Sequence, residues 1–318
     1  MAKFRVNCQN KYQFSISLYF FTIKVNTLKV TGFTFIRNAL IYDYPIVEAI
    51  QSILPICDEF VVAVGQSDDA TLALINSIAS DKIRIIPTIW DDTLRSGGRV
   101  LALETDKAFR AISADTDWAF YIQGDEVIHE KYLPVIKSAM QAQLANKAID
   151  GLLFKYVHFY GSYDYVGVSS NWYRNEIRVV RNNSAIYSYR DAQGFRKNKD
   201  EKLVVKPIAA YVYHYGWVKD PSAMQRKQEN FNKYWHSDEW VAQYIAKADS
   251  FDYSRIDALS RFDDNHPKVM QTRIAEKNWQ FDYDISRSNF SVKERFKRWF
   301  EKISGYRIGE YKNYKLGN

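Results

Sequence analysis

Between residues 29 and 122, apolar runs of strand length alternate with stretches whose apolar residues recur at helical spacing, and the connections are short. Such alternation leaves few folds open. Sequential strands joined through helices form a parallel sheet with right-handed crossovers, covered by helices on its faces. The pattern predicts strands over 29–36, 59–64, 83–87 and 118–122. Helices are expected over 45–54, 70–79, 99–112 and 131–146. Beyond residue 150 the character changes. Segments 151–160, 172–181, 185–189 and 208–215 read as strands rich in aromatic and β-branched residues, and helical pattern dominates 222–248. The expected fold class is α/β: a Rossmann-like nucleotide-binding sheet, a β-rich second half, then C-terminal helices. The chain divides by pattern into an N-terminal extension (1–28), a main domain (29–218) and a helical region with a basic amphipathic tail (219–318).

The run Tyr121-Ile122-Gln123-Gly124-Asp125-Glu126 carries the most chemistry. A buried strand ends there in small and acidic residues, and open α/β sheets bind ligands at the carboxyl ends of their strands. Asp125 at that place suits a hard cation bridging two phosphates, since Mg²⁺ usually takes one or two carboxylates plus substrate oxygens. A strand stopping at a polar turn accounts for the same residues without a ligand.

Charge narrows the class of partner. The net +7 is carried by the ends: residues 1–28 hold +4 and residues 286–318 hold +6, which leaves −3 for the body. A nucleic-acid binder is expected to show a basic stripe across its folded body, so nucleic acid is not the expected partner. Basic ends suit an anionic membrane surface or solvated tails. No stretch reaches the ~20 apolar residues of a membrane span. Cys8 and Cys57 are the only cysteines, which argues against a disulfide framework and for a reducing, cytoplasmic setting. Residues 1–27 do not join the pattern that follows; one expectation is that translation starts at Leu28, and intact mass of the native protein decides it.

Three segments together resemble glycosyltransferase family 2, the nucleotide-sugar enzymes of GT-A fold. They are the opening strand with Thr34-Phe35-Ile36-Arg37-Asn38, the strand and turn from Val61 to Thr71 containing Ser67-Asp68-Asp69, and Gln123-Gly124-Asp125-Glu126, similar to the family's Asp-x-Asp metal motif. The resemblance spans about residues 29–216. It implies transfer of a sugar, with inversion, from a nucleoside-diphosphate donor to a glycan or lipid-linked acceptor in cell-surface polysaccharide assembly, with Mn²⁺ or Mg²⁺ at Asp125. Thr34, Arg37, Asn38, Asp68, Gln123 and Gly124 would then line the donor site. Gln123 departs from the motif's first aspartate, and Val61 to Gly65 lacks the base-contacting aspartates. A non-catalytic GT-A domain that binds nucleotide sugar is the alternative.

Other candidates are weighed against structural roles. The late His214, in Tyr213-His214-Tyr215-Gly216-Trp217, is by resemblance a second metal ligand, and otherwise a packed histidine among aromatics. Arg99, after Gly97-Gly98, could meet phosphate at a helix start, although an exposed structural arginine is the expected reading. Helix capping explains Asp68 and Asp69 equally well. The family's base lies downstream of the metal motif, where Glu176, Asp191 and Glu201 stand; Asp191, after a strand pair, is preferred, while Glu176 could simply pair with Arg174 or Arg178. Trp172, Tyr173 and Trp217 suit sugar stacking or packing alike, and His158 reads as a packed strand residue. In the tail, Val292, Phe296, Trp299, Phe300 and Ile303 form one apolar helical face opposite Lys and Arg. That helix is expected to dock on the domain with its basic face solvated, with peripheral membrane contact as a second role.

Overall fold

The computed structural model describes residues 27–245, 248–286 and 288–317. The question raised for the N-terminal extension therefore falls, apart from Thr27 and Leu28, outside the described residues. Four strands, β1 (Val30–Ile36), β2 (Glu59–Gly65), β3 (Ile83–Thr88) and β4 (Trp118–Tyr121), pair in parallel in the order β3-β2-β1-β4. Helices α1 (Ile46–Ile53), α2 (Thr71–Asn76) and α3 (Arg99–Arg110) alternate with them, as the periodicity predicts. Strand β2 is buried continuously from Phe60 to Gly65 because both faces of a central parallel strand are covered. On one face α1 buries Ile46, Ala49, Ile50 and Ile53, an i, i+3, i+4, i+7 stripe, against Val62, Phe120 and Ile128. On the other, Leu101, Ala108 and Phe109 of α3 pack on Phe33, Val61 and Tyr121.

The acidic turn after β4 is shorter than the sequence suggests, because a strand, β5 (Glu126–Ile128), begins on Glu126 itself. Helix α4 (Leu133–Ala142) follows. The second half is built from β6 (Gly151–Tyr160), β7 (Ser162–Gly167), β8 (Asn175–Arg181), β9 (Ile186–Tyr189), β10 (Gly194–Lys197) and β11 (Glu201–Trp217). Strand β8 runs antiparallel between β4 and β6, so the two halves share one sheet. The predicted strand 208–215 is the middle of the 17-residue β11, whose pairing with β6 shifts register after Pro207. Proline has no N–H for the ladder, and such irregularities are where strands tolerate it.

The single helical stretch expected over 222–248 is two helices, α5 (Pro221–Asn232) and α6 (Asp238–Tyr244). Asp220 caps α5 by accepting from the Ser222 and Ala223 amides, with Pro221 in its first turn; Ser237 caps α6. Then come β12 (Leu259–Arg261), α7 (Gln271–Ala275), α8 (Val292–Ser304) and β13 (Tyr314–Leu316). The last third is thus more than helices: β12 pairs with β7, and β13 pairs in parallel with β11. Among the described residues, no helix is long and apolar enough to cross a membrane.

Candidate active site

The turns leaving β1 and β4, the β9–β10 turn and helix α5 enclose a cleft of about 540 Å³ at the carboxyl ends of the parallel strands. The turn that carries Asp125 is fixed from behind. Glu126 is fully buried and receives two 2.7 Å bonds from the Arg178 guanidinium, one of 2.7 Å from the Tyr156 hydroxyl, and one of 3.1 Å from the Gln123 amide. Every strong acceptor direction of that carboxylate is used, so Glu126 holds the turn while its neighbour Asp125 faces the cleft. Gln123, at the motif's first position, donates its side-chain amide to the Ala192 carbonyl at 3.1 Å and so ties this turn to the β9–β10 turn. Gly124 lets the backbone pass close to Ile36, whose Cδ1 would lie 3.1 Å from an added Cβ.

Asp125 meets two partners in the cleft. Lys227, carried by α5, donates to its Oδ2 at 3.1 Å and to the Gly216 carbonyl at 2.9 Å. His214 Nε2 stands 3.8 Å from its Oδ1. Burial alone would raise the Asp125 carboxyl, but the positive charge of Lys227 beside it, above all, outweighs burial and holds the group well below the usual carboxylate range.

The hydrogen bonds determine which nitrogen of His214 is free. His158 is pushed down to about 3, by burial first and then by His214, so its ring is neutral. Its Nε2 lies 2.8 Å from the Tyr173 carbonyl, which can only accept, so the ring hydrogen sits there. His158 Nδ1 is then an acceptor, and the 3.1 Å contact with His214 Nδ1 makes that nitrogen the donor. Burial also lowers His214, leaving a neutral ring with a bare lone pair on Nε2, the atom that faces Asp125. Metal-binding imidazoles are commonly oriented in this way, through a bond made by the other nitrogen.

The space between these donors is kept clear by Gly216. A Cβ there would lie 2.6 Å from His214 Nε2 and 2.8 Å from Asp125 Oδ2. The residues present therefore fit a divalent cation with two protein ligands. Among the described residues no cluster of three or more His, Cys, Asp or Glu side chains is placed for a metal. Mg²⁺ and Mn²⁺ sites that complete their shell with phosphate oxygens and water need no third.

Asp191 lines the same cleft from the β9–β10 turn, between Arg190 and Ala192, which adopt left-handed φ of 57° and 63°. Side chains rarely hold that conformation, and two in one turn mark a backbone shaped to aim what lies between them. Gly98, at φ 67°, is the residue against which this turn packs: a Cβ would sit 2.6 Å from Asp191 Cβ and 2.7 Å from the Trp235 ring. The Ser96-Gly97-Gly98 turn thus serves packing, and Arg99 beyond it is exposed and outside the cleft. Burial raises the Asp191 carboxyl above its ordinary value, against two backbone N–H bonds that lower it.

Of the remaining donor-site candidates, Arg37, Gln123 and Gly124 line the cleft, with Arg37 paired to Asp92 at 2.6 Å. Asn38 and Asp68 exchange two bonds, of 3.0 and 2.8 Å, on the wall of an adjoining cavity of about 190 Å³ that Arg37 also borders. Asp69 accepts from the amides of Leu40, Ile41 and Thr71, a structural role. Thr34 is buried in the sheet and does not reach the cleft. Tyr173 and Trp217 line the cleft, whereas Trp172 packs over Gly167 and stacks on His158. Sequence reasoning missed Lys227, Gln193, Tyr44, Tyr234 and Trp235, none of which lies in a recognisable motif.

Glu176 is not brought to the cleft either. It is 3% exposed, accepts one bond of 2.9 Å from Gln193, and its second oxygen has no partner. Burial is the main cause that pushes it up to about 8, so it is protonated at neutral pH. An unfolded glutamate releases its proton near 4.3, so between roughly pH 4.3 and 8 the native state holds the extra proton and stability falls as pH rises. Glu176→Gln is expected to flatten that part of the stability profile; urea midpoints measured every half pH unit check it, and an unchanged slope refutes it.

No family model matches the chain, and no curated protein matches it. Solved structures similar to parts of it include S. aureus TarS, at 15% identity and a TM-score of 0.38 over 64% of this chain and 39% of that one. A shorter TarS structure, residues 1–349, has 14% identity and the same score over 69% and 70%. Glucosyl-3-phosphoglycerate synthase from Mycobacterium tuberculosis, in complex with Mn²⁺, UDP and phosphoglyceric acid, has 21% identity and a TM-score of 0.28 over 41% and 43%. The chain thus spans about two fifths of the longer TarS structure and of the synthase. Parallel β3-β2-β1-β4 continued by antiparallel β8 and β6, with Asp125 in the turn after β4, is the α/β architecture that the sequence pattern predicts.

Proposed function

We propose that the chain transfers a sugar from a nucleoside-diphosphate sugar to a hydroxyl of a glycan or lipid-linked acceptor. The observation that carries this reading is the pairing of the Asp125 carboxylate with the bare Nε2 of His214 across the gap that Gly216 leaves open. Asp125 and His214 would hold Mn²⁺ or Mg²⁺, which there neutralises charge on the leaving diphosphate. Lys227, beside them, adds a second positive charge on the same side. The nucleoside end fits the adjoining cavity, with Arg37, Asn38 and Asp68 on its walls.

Asp191 is the base. As the acceptor oxygen attacks the anomeric carbon, its proton passes to the Asp191 carboxylate, while the bond to the diphosphate oxygen breaks and its electron pair leaves with the diphosphate. Attack on the face opposite the leaving group inverts the anomeric centre. A carboxyl raised by burial is a stronger base than an exposed one, which suits this task. Tyr173 and Trp217, on the cleft walls, offer faces for sugar rings.

Binding without turnover is the second reading, and it is favoured by Gln123, whose amide is committed to Ala192, and by Lys227, which already neutralises Asp125. Thermal shift with UDP-, GDP-, CMP- and dTDP-sugars, each with and without Mn²⁺, separates the outcomes. A ligand at 100 times its Kd stabilises by about 2.7 kcal/mol. One nucleotide shifting the midpoint only with metal, followed by turnover, supports the enzyme; a shift without turnover supports the binder, and no shift refutes both. With acceptor in hand, Asp191→Asn is expected to lower kcat by about 10²–10⁴-fold and leave the donor-induced shift intact.

A further inference from the structure

Helix α8 is docked by its polar side, and most of its apolar side faces away from the described residues. Glu294 accepts from the Ser170 amide and hydroxyl at 2.7 and 2.6 Å, Glu301 pairs with Arg174 at 2.8 Å and Arg307 at 2.9 Å, and Arg298 donates to the Val168 carbonyl. The expected docking is present, but mainly through the opposite face: of the five apolar residues expected to pack, Phe300 is half-buried and the other four are exposed. Val292, Phe296, Trp299 and Ile303 are 85, 56, 58 and 66% exposed. At 3.6 residues per turn these four fall in one sector of about 60°. Exposed Lys293 borders the stripe on one side, and exposed Arg295 and Lys302 border it on the other.

The helix does not depend on covering that stripe. Ser291 caps its first turn by accepting from the Glu294 amide at 3.2 Å, and Gly305, at φ 70°, closes its end. Two aromatic and two aliphatic side chains between rows of cations match the chemistry of a bilayer interface, apolar below and anionic at the headgroups. A second copy of the chain is a poorer occupant. Self-pairing would set these flanking cations against one another across the contact. The stripe on a helix of this length, about 20 Å, also falls well short of the roughly 800 Å² per partner of a standard interface.

We propose that α8 binds an anionic lipid surface, lying in its plane with Phe296 and Trp299 at the acyl boundary. The helix rests on segment 168–174, and Tyr173 of that segment lines the cleft. On the reading given under Proposed function, the membrane would then lie beside the acceptor side, as a lipid-linked acceptor requires.

Vesicle flotation of the full chain tests the proposal without calling on transferase activity. Phosphatidylcholine vesicles are compared with vesicles containing about 30 mol% phosphatidylglycerol, at low and high salt. Binding is expected only with the anionic lipid, weakening as salt rises. The double variant Phe296→Glu, Trp299→Glu is expected to bind at least ~10-fold more weakly at an unchanged melting temperature, since both side chains point away from the body. Absence of binding to anionic vesicles at low salt would overturn the proposal. So would undiminished binding by the double variant, or a concentration-dependent dimer in light scattering that the double variant abolishes.

Discussion

Arg178→Met is expected to destabilise the protein by about 3–5 kcal/mol, because it leaves the Glu126 carboxylate buried without its counter-charge. Both side chains are essentially inaccessible, and the guanidinium also donates to the carbonyls of Ile177 and Gln193 and lies over the rings of Tyr121 and Tyr156. The remaining partners of Glu126, the Tyr156 hydroxyl and the Gln123 amide, are neutral and do not replace a bidentate ion pair. Adding Glu126→Leu to Arg178→Met should recover much of the loss, since an apolar pair tolerates burial that a lone charge does not. Denaturant unfolding of the two single variants and the double variant yields the coupling energy. Additive losses would mean that the pair does not act as a unit. The recovered double variant should still bind donor poorly, since the turn beneath Asp125 has lost its anchor.

The ion pair also shows where the sequence stopped being informative. Strands β1, β2, β3 and β4 and helix α1 were legible because each is set by a local period and a nearby turn. The role of Glu126 was not. Its partner Arg178 lies 52 residues away on an antiparallel strand, and neither periodicity nor composition says which charge crosses the sheet. Glu176, two residues before Arg178, shows the converse. It looked like a candidate base, but β8 is covered on both faces, so the alternation that would put one residue in solvent and the next in the core is absent there. Asp125, His214 and Asp191 were named from sequence through a resemblance, and the structure brings all three to one cleft. Lys227 and Gly216 carried no signal. A lysine inside an ordinary helical pattern becomes a cleft residue only when α5 folds across the end of β11, and the value of Gly216 lies in the atom it lacks.

Asp125→Asn carries the largest expected functional effect. The substitution keeps the shape and an acceptor for Lys227, so the fold should be little changed: a melting temperature within a few degrees of the parent is expected. It removes the negative charge that faces His214 Nε2, and with it one of the two side chains proposed above to hold the cation. Turnover with a nucleotide-sugar donor is expected to fall by about 10³-fold or more, comparable to or beyond the loss of a single preorganised electrostatic group. Mn²⁺ affinity, read directly by electron paramagnetic resonance in the presence of nucleoside diphosphate, should fall in parallel. His214→Gln should weaken metal binding as well. His158→Phe should do so through the tautomer alone, since without the acceptor at His158 Nδ1 nothing keeps the hydrogen of His214 on its own Nδ1. The pattern of the three separates the readings. An enzyme with the cation held as argued loses metal and turnover together in all three, the His158 variant least. If Asp125→Asn leaves both metal affinity and turnover intact, Lys227 rather than a divalent ion neutralises the diphosphate, and Lys227→Met should then be the variant that abolishes activity.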